Sequence, residues 1–278
     1  DIGISVATGG TFTSENNSTT EVINMTDSSK GIVNDGEIDN SGTVTITTDN
    51  LGIQINTGGT IDNGGSINIS KIGVDTSTAP SSDNGENISL PNSFKTGGAS
   101  VVNFLEIQNG GTLEVKAGGN LLIDGTSSIV LASKKIGFSD GDTGIKIFNG
   151  GTLLSEATST IEVINISGTG IDDAGEIEQS GEMTVTAEEV GVIVSNSFVN
   201  DGSVDISKPE GLVLQKTGTG SASVVNFLEI QNGGTLEINS GGSVTVDGAD
   251  VGPAKINLVN DDTGIDVQTG GSLISETN

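Results

Sequence analysis

From Leu228 onward the chain keeps a short beat: Leu228-Glu229-Ile230, Leu236-Glu237-Ile238 and Val244-Thr245-Val246 follow at steps of eight, with Asn232-Gly233-Gly234 and Ser240-Gly241-Gly242 between them. Alternation of aliphatic and polar side chains is the period of a strand. It places Leu228, Ile230, Leu236, Ile238, Val244 and Val246 on one side and Glu229, Glu237 and Thr245 on the other. No apolar 3.6-residue period runs for about ten positions, so no helix is predicted. Three short strands and three glycine corners make a coil of about 24 residues on this count. Gly170, Gly191 and Gly211 head segments 21 and 20 residues apart, which sets the coil at about 20 to 28 residues.

A strand of four residues buries only one or two side chains, so a single coil closes no core. Stacked coils do, because each strand then pairs in parallel with its counterpart in the next turn and Ile, Val and Leu line up inside. The predicted fold is all-β, a parallel β-helix solenoid, right-handed by the usual chirality of parallel connections. Roughly twelve coils at about 4.8 Å each would give a rod on the order of 55 to 60 Å long. Asn109-Gly110, Asn149-Gly150 and Asn232-Gly233 supply the left-handed backbone that sharp corners demand. The aligned Phe104 and Phe227 are expected inside corresponding coils, with a place beneath a loop as the second choice.

A longer repeat overlies this beat. Ala99 to Glu114 (ASVVNFLEIQNGGTLE) returns letter for letter at Ala222 to Glu237, 123 positions on. Two identical runs cannot both be an active site, so they are a building unit. Asp1-Ile2-Gly3-Ile4 matches Asp142-Thr143-Gly144-Ile145 and Asp262-Thr263-Gly264-Ile265. Residues 1–278 are therefore read as one solenoid, with a long unit at 1–141, a second copy at 142–261 and the start of a third at 262–278. The offset between copies changes in steps, from 141 through 139, 137 and 123 to 120, and each step falls between matched strands. A solenoid bearing surface loops tolerates insertions of that kind. The segment 75–95 (DTSTAPSSDNGENISLPNSFK) holds two of the four prolines and is predicted to protrude as a loop. It is either a neutral insertion or a contact surface, with Asp83, Asn84, Glu86 and Asn87 as the candidate contact residues for a partner.

Composition narrows the function. The net charge is -27, there is no Cys, His, Trp or Tyr, and all ten basic residues are Lys. Such a polyanion repels phosphate backbones and anionic lipid, which excludes nucleic acid, and no apolar run of about 18 residues is present for direct membrane insertion. Absence of Cys fits an extracellular protein, and the start at Asp1 without a leader reads as a mature or excised piece. Without His, Cys or Arg, the common nucleophile-base pairs and zinc sites are unavailable. A paired-carboxylate glycosidase would need acids such as Asp172-Asp173 or Asp261-Asp262. Adjacent acids at coil junctions are ordinary turn residues, however, so the chain is read as no enzyme, with no catalytic and no cofactor-binding residue. Calcium is the one metal this composition could hold, and Asp140, Asp142, Asp261 and Asp262 are its candidate ligands, although solvated turn carboxylates are the preferred reading. Thr43-Val44-Thr45-Ile46-Thr47 and Thr184-Val185-Thr186 direct Thr outward. Acids and amides at the other outward positions argue against an ice-binding face.

Gly31 to Val44 (GIVNDGEIDNSGTV) and Ile107 to Leu113 (IQNGGTL) resemble the repeats of bacterial autotransporter and related surface-adhesin passenger domains. The resemblance implies a β-helical stalk at the cell surface that works in adhesion, in aggregation or as a spacer. Its expected partners are other protein chains or host and cell-surface glycans. A second expectation comes from the ends, where bare parallel edges invite head-to-tail association into an extracellular fibre.

Overall fold

The computed structural model describes residues 1–25, 28–71, 103–125, 141–187, 189–207, 226–247 and 263–275. Among these residues every regular element is a strand, and the strands form three parallel sheets. The first sheet stacks Ile2–Val6, Lys30–Asn34, Leu51–Ile55, Asn103–Ile107, Thr143–Ile147, Thr169–Asp173, Val190–Val194, Asn226–Ile230 and Thr263–Val267, in chain order. We number these strands as rungs 1 to 9. The second sheet stacks nine strands from Thr11–Ser14 to Ser272–Ser275, and the third eight, from Thr19–Met25 to Ser243–Asp247. The chain visits the three sheets in turn and then starts the next rung, which is the parallel β-helix that the alternation called for.

Nine rungs are described, against roughly twelve coils expected from the sequence. Partner residues step by 28, 21, 26 and 21 positions at four joints, within the expected coil. The other four steps are 52, 40, 36 and 37 positions. In each of those the extra residues connect a third-sheet strand to the next first-sheet strand. Leu51 nevertheless pairs directly with Asn103, so no coil intervenes. An even division of the chain into coils overcounts, because these four connections hold residues that add no rung between paired strands. Segment 75–95, with Asp83, Asn84, Glu86 and Asn87, lies outside the described residues.

The core is one continuous cluster running up the shaft. In rung 3, for example, Ile53, Ile55, Ile61, Ile67 and Ile69 are each at most 2% exposed. Burying an aliphatic side chain of that size contributes roughly 1.5 to 3 kcal/mol, so each rung gains enough only because the next one covers it. Leu228, Ile230 and Leu236 are buried as the alternation requires, and Ile238, Val244 and Val246 pack against the core from near its end. Phe104 and Phe227 are both inside, at 0% and 3% exposure.

Two features set how tightly the sheets meet. The second position of the first-sheet strands is Gly at Gly3, Gly31, Gly52, Gly144, Gly170, Gly191 and Gly264, and Phe at the other two rungs. A Cβ on Gly191 would stand 2.3 Å from both the Ile206 Cγ2 and the Phe227 carbonyl oxygen. At this row the first-sheet backbone lies directly against third-sheet side chains. At the corners into the second sheet the glycine of each Asn-Gly pair takes the left-handed conformation, with φ of 74° at Gly110, 83° at Gly150 and 89° at Gly233.

Candidate interaction surface

In-register stacking turns each outward position into a row. On the third sheet one row reads Thr19, Thr43, Ser66, Asn120, Thr160, Glu182, Ser203 and Ser243. The next reads Glu21, Thr45, Asn68, Leu122, Glu162, Thr184, Asp205 and Thr245. Rows lie about 7 Å apart along the strands and rungs about 4.8 Å apart across them. The result is a lattice mostly of hydroxyls and carboxamides, with scattered acids. Thr is continuous only along rung 2, since rung 3 presents Ser66, Asn68 and Ser70 and rung 4 presents Asn120, Leu122 and Asp124.

Among the described residues the outward-facing cations sit on the other two sheets. On the first sheet Lys146 pairs with Asp172 at 3.0 Å, and the Lys30 ammonium donates to Gln54 at 2.6 Å. Beside the second sheet Lys116 lies 2.6 Å from Glu114 and 3.6 Å from Asp62. The hydrogen bond to Glu114 raises its pKa. The outward rows of the third sheet carry no Lys. That face therefore keeps its acids Glu21, Glu162, Glu182 and Asp205 without a cation in the same rows.

Residues singled out by sequence fall into three groups. Asp142 is not a solvated turn carboxylate: it is 1% exposed and pairs with Lys71 at 2.5 Å, closing the corner between the third and first sheets. Asp140, Asp261 and Asp262 lie outside the described residues, as do the contact candidates of segment 75–95. Among the described residues no three carboxylates gather closely enough for a metal. Asp172 and Asp173 face opposite sides of the same strand, as successive strand residues must. Asp172 pairs outward with Lys146 while Asp173 is 0% exposed inside the shaft, so the two cannot flank one substrate.

Sequence reading missed the polar groups inside. Asn34, Asn40 and Asn200 end strands with side chains turned inward, and each accepts the amide of a glycine two residues on, at 3.1, 3.2 and 3.1 Å. Their amide nitrogens donate to the next rung, to the carbonyls of Thr60, Ser66 and Ser243 at 2.8, 3.2 and 2.9 Å. Asn40 also donates to Asn63 at 2.8 Å. The signal was present as the repeated Asn-X-Gly at corners. Gln179 occupies the place of Asn40 and neither polar atom of its side chain has a partner. Asp173 occupies the place of Asn34. One oxygen accepts from Gly175 at 2.9 Å, the other has no partner, and burial pushes its pKa up to about 7.

No protein-family model matches the chain, and no curated protein does. Among solved structures it is similar to one titled "Crystal structure of TibC-catalyzed hyper-glycosylated TibA55-350 fragment". The identity is 13% over 100% of this chain and 98% of that one, with a TM-score of 0.16. The fold assignment rests on the strand pairing alone.

Proposed function

We propose that this chain is an extracellular, non-catalytic stalk segment of a surface adhesin, which offers its third-sheet face to cell-surface glycans. The observation that supports this most is the in-register lattice of Thr, Ser and Asn on that face, repeated from rung to rung on a rigid aliphatic shaft. Hydroxyls and carboxamides donate and accept alike, which suits a partner made of sugar hydroxyls. Repetition multiplies contacts that are individually weak. The fluorescently labelled chain applied to a panel of immobilised polysaccharides tests the reading. Retention without release of shorter products is the expected result. Retention unchanged by Thr45→Lys and Thr184→Lys together would overturn the glycan face, and release of products would overturn the non-catalytic role.

A second reading is end-to-end assembly. Rung 9 leaves Ile265 45%, Val267 43% and Leu273 42% exposed, in rows where Leu228, Ile230 and Leu236 of rung 8 are buried. Electron microscopy of the purified chain distinguishes the two readings: long fibres of uniform width support assembly, and discrete short rods the stalk segment.

A further inference from the structure

Rung 6 contains a buried acid where rung 2 has an amide. Asp173 lies in register between Ile147 of rung 5 and Val194 of rung 7. One of its oxygens is held by the Gly175 amide, and the other has no partner. In rung 2, Asn34 uses the equivalent atom to donate to the carbonyl of Thr60, the residue opposite Glu37 one rung on. Register places Ser197, opposite Glu176, at that position in rung 7. A carbonyl only accepts. An amide nitrogen always donates to it, whereas a carboxyl does so only when protonated.

We propose that Asp173 is a proton-operated fastening between rungs 6 and 7. Protonated, it donates to the Ser197 carbonyl as Asn34 does to Thr60 and holds the shaft closed. Deprotonated, it turns a charge and a lone pair on a carbonyl among aliphatic side chains, and this joint loosens. The first copy has Asn34 at the same place, so only the second copy carries the device.

The nearest inward side chains give the charge no partner. Those of the flanking first-sheet strands are aliphatic, Ile145 and Ile147 below and Val192 and Val194 above, and the buried polar side chains of the second sheet, Ser155, Gln179 and Asn200, stand at the far ends of their strands. Those of the third sheet facing this rung, such as Val163 and Val185, are aliphatic too. Of the charged groups nearby, Asp172 on the same strand is engaged with Lys146 on the outer face. Glu176 is exposed at the start of the following strand. Glu162 and Glu182 lie on the outer rows of the third sheet, and Glu189 precedes the opposite end of the rung 7 strand. After burial, the negative charges of Asp172 and Glu176 add to the upward shift, while the Gly175 amide opposes it.

Hydrogen exchange on the full chain at about pH 5.5 and about pH 8.5, corrected for intrinsic rates, tests this. Between those pH values, amides of 169–200 are expected to lose about tenfold in protection while those of 30–63 do not, and Asp173→Asn should abolish the difference. Equal loss in both segments, or a loss that persists in D173N, would overturn the proposal. Carboxyl-carbon NMR titration of the unsubstituted chain gives an independent outcome should D173N fail to fold. A midpoint for Asp173 near 7 supports the fastening, and one below about 5 overturns it.

Discussion

Gln179 is one methylene too long for its place. Where Asn40 reaches back to Gly42 and forward to the next rung, Gln179 leaves both polar atoms buried and unpaired. An unsatisfied buried group costs about 1 to 3 kcal/mol. Gln179→Asn is accordingly expected to stabilise the fold by roughly 1 kcal/mol or more in denaturant unfolding. Asp173 is the other residue out of pattern, and its effect depends on pH. Its pKa rises from 3.8 unfolded to about 7 folded, so the folded state holds more protons across that interval. The stability it contributes is present below the lower value, falls as pH rises, and is gone above the upper one. Relative to the unsubstituted chain, Asp173→Asn should gain on the order of 3 kcal/mol at about pH 8 and nothing below about pH 4, measured as unfolding free energy against pH.

At the scale of the strand, the glycine row decides how closely the sheets approach. Gly191 lies against both a side chain of the third sheet and the backbone of the next rung. Replacing it with Ala should cost roughly 1 to 3 kcal/mol of unfolding free energy through overpacking. The same change at Gly64, where an added Cβ meets its nearest atoms at 3.9 Å, should cost far less. Gly170 and Gly191 were visible in the sequence as heads of successive segments, but their role as a row was not. That role depends on which side chain stands opposite, and linear order does not carry such information. The alternation of Leu228, Ile230 and Leu236 was legible because a strand's period is local. Asp142 was not, since its partner Lys71 is 71 residues away and no motif links them. Asp172 and Asp173 looked like a pair because adjacency in sequence ignores the pleat, which sends neighbours to opposite faces.

Along the full shaft, the architecture is set by which rung lies on which. The four longest connections all join the third sheet to the first, so the outer rows remain continuous from Thr19 to Ser243 despite interruptions in the sequence. This is how a chain with large insertions still presents an unbroken face. Eight steps of about 4.8 Å put rungs 1 and 9 about 38 Å apart, shorter than an even division of the chain would give. The pairing across the first long connection spans the most sequence, since Asp62 and Glu114 are partners 52 residues apart. The chain contains no Cys, so a pair introduced there can react only with itself within one molecule. Neighbouring parallel strands bring the two Cα atoms to about 4.8 Å, inside the range of about 4.4 to 6.8 Å that a disulfide spans. Asp62→Cys with Glu114→Cys should close a disulfide on mild oxidation, whereas Asp39→Cys with Glu114→Cys, two rungs apart, should not. A disulfide in the second variant and none in the first would contradict the stacking of rung 4 directly on rung 3.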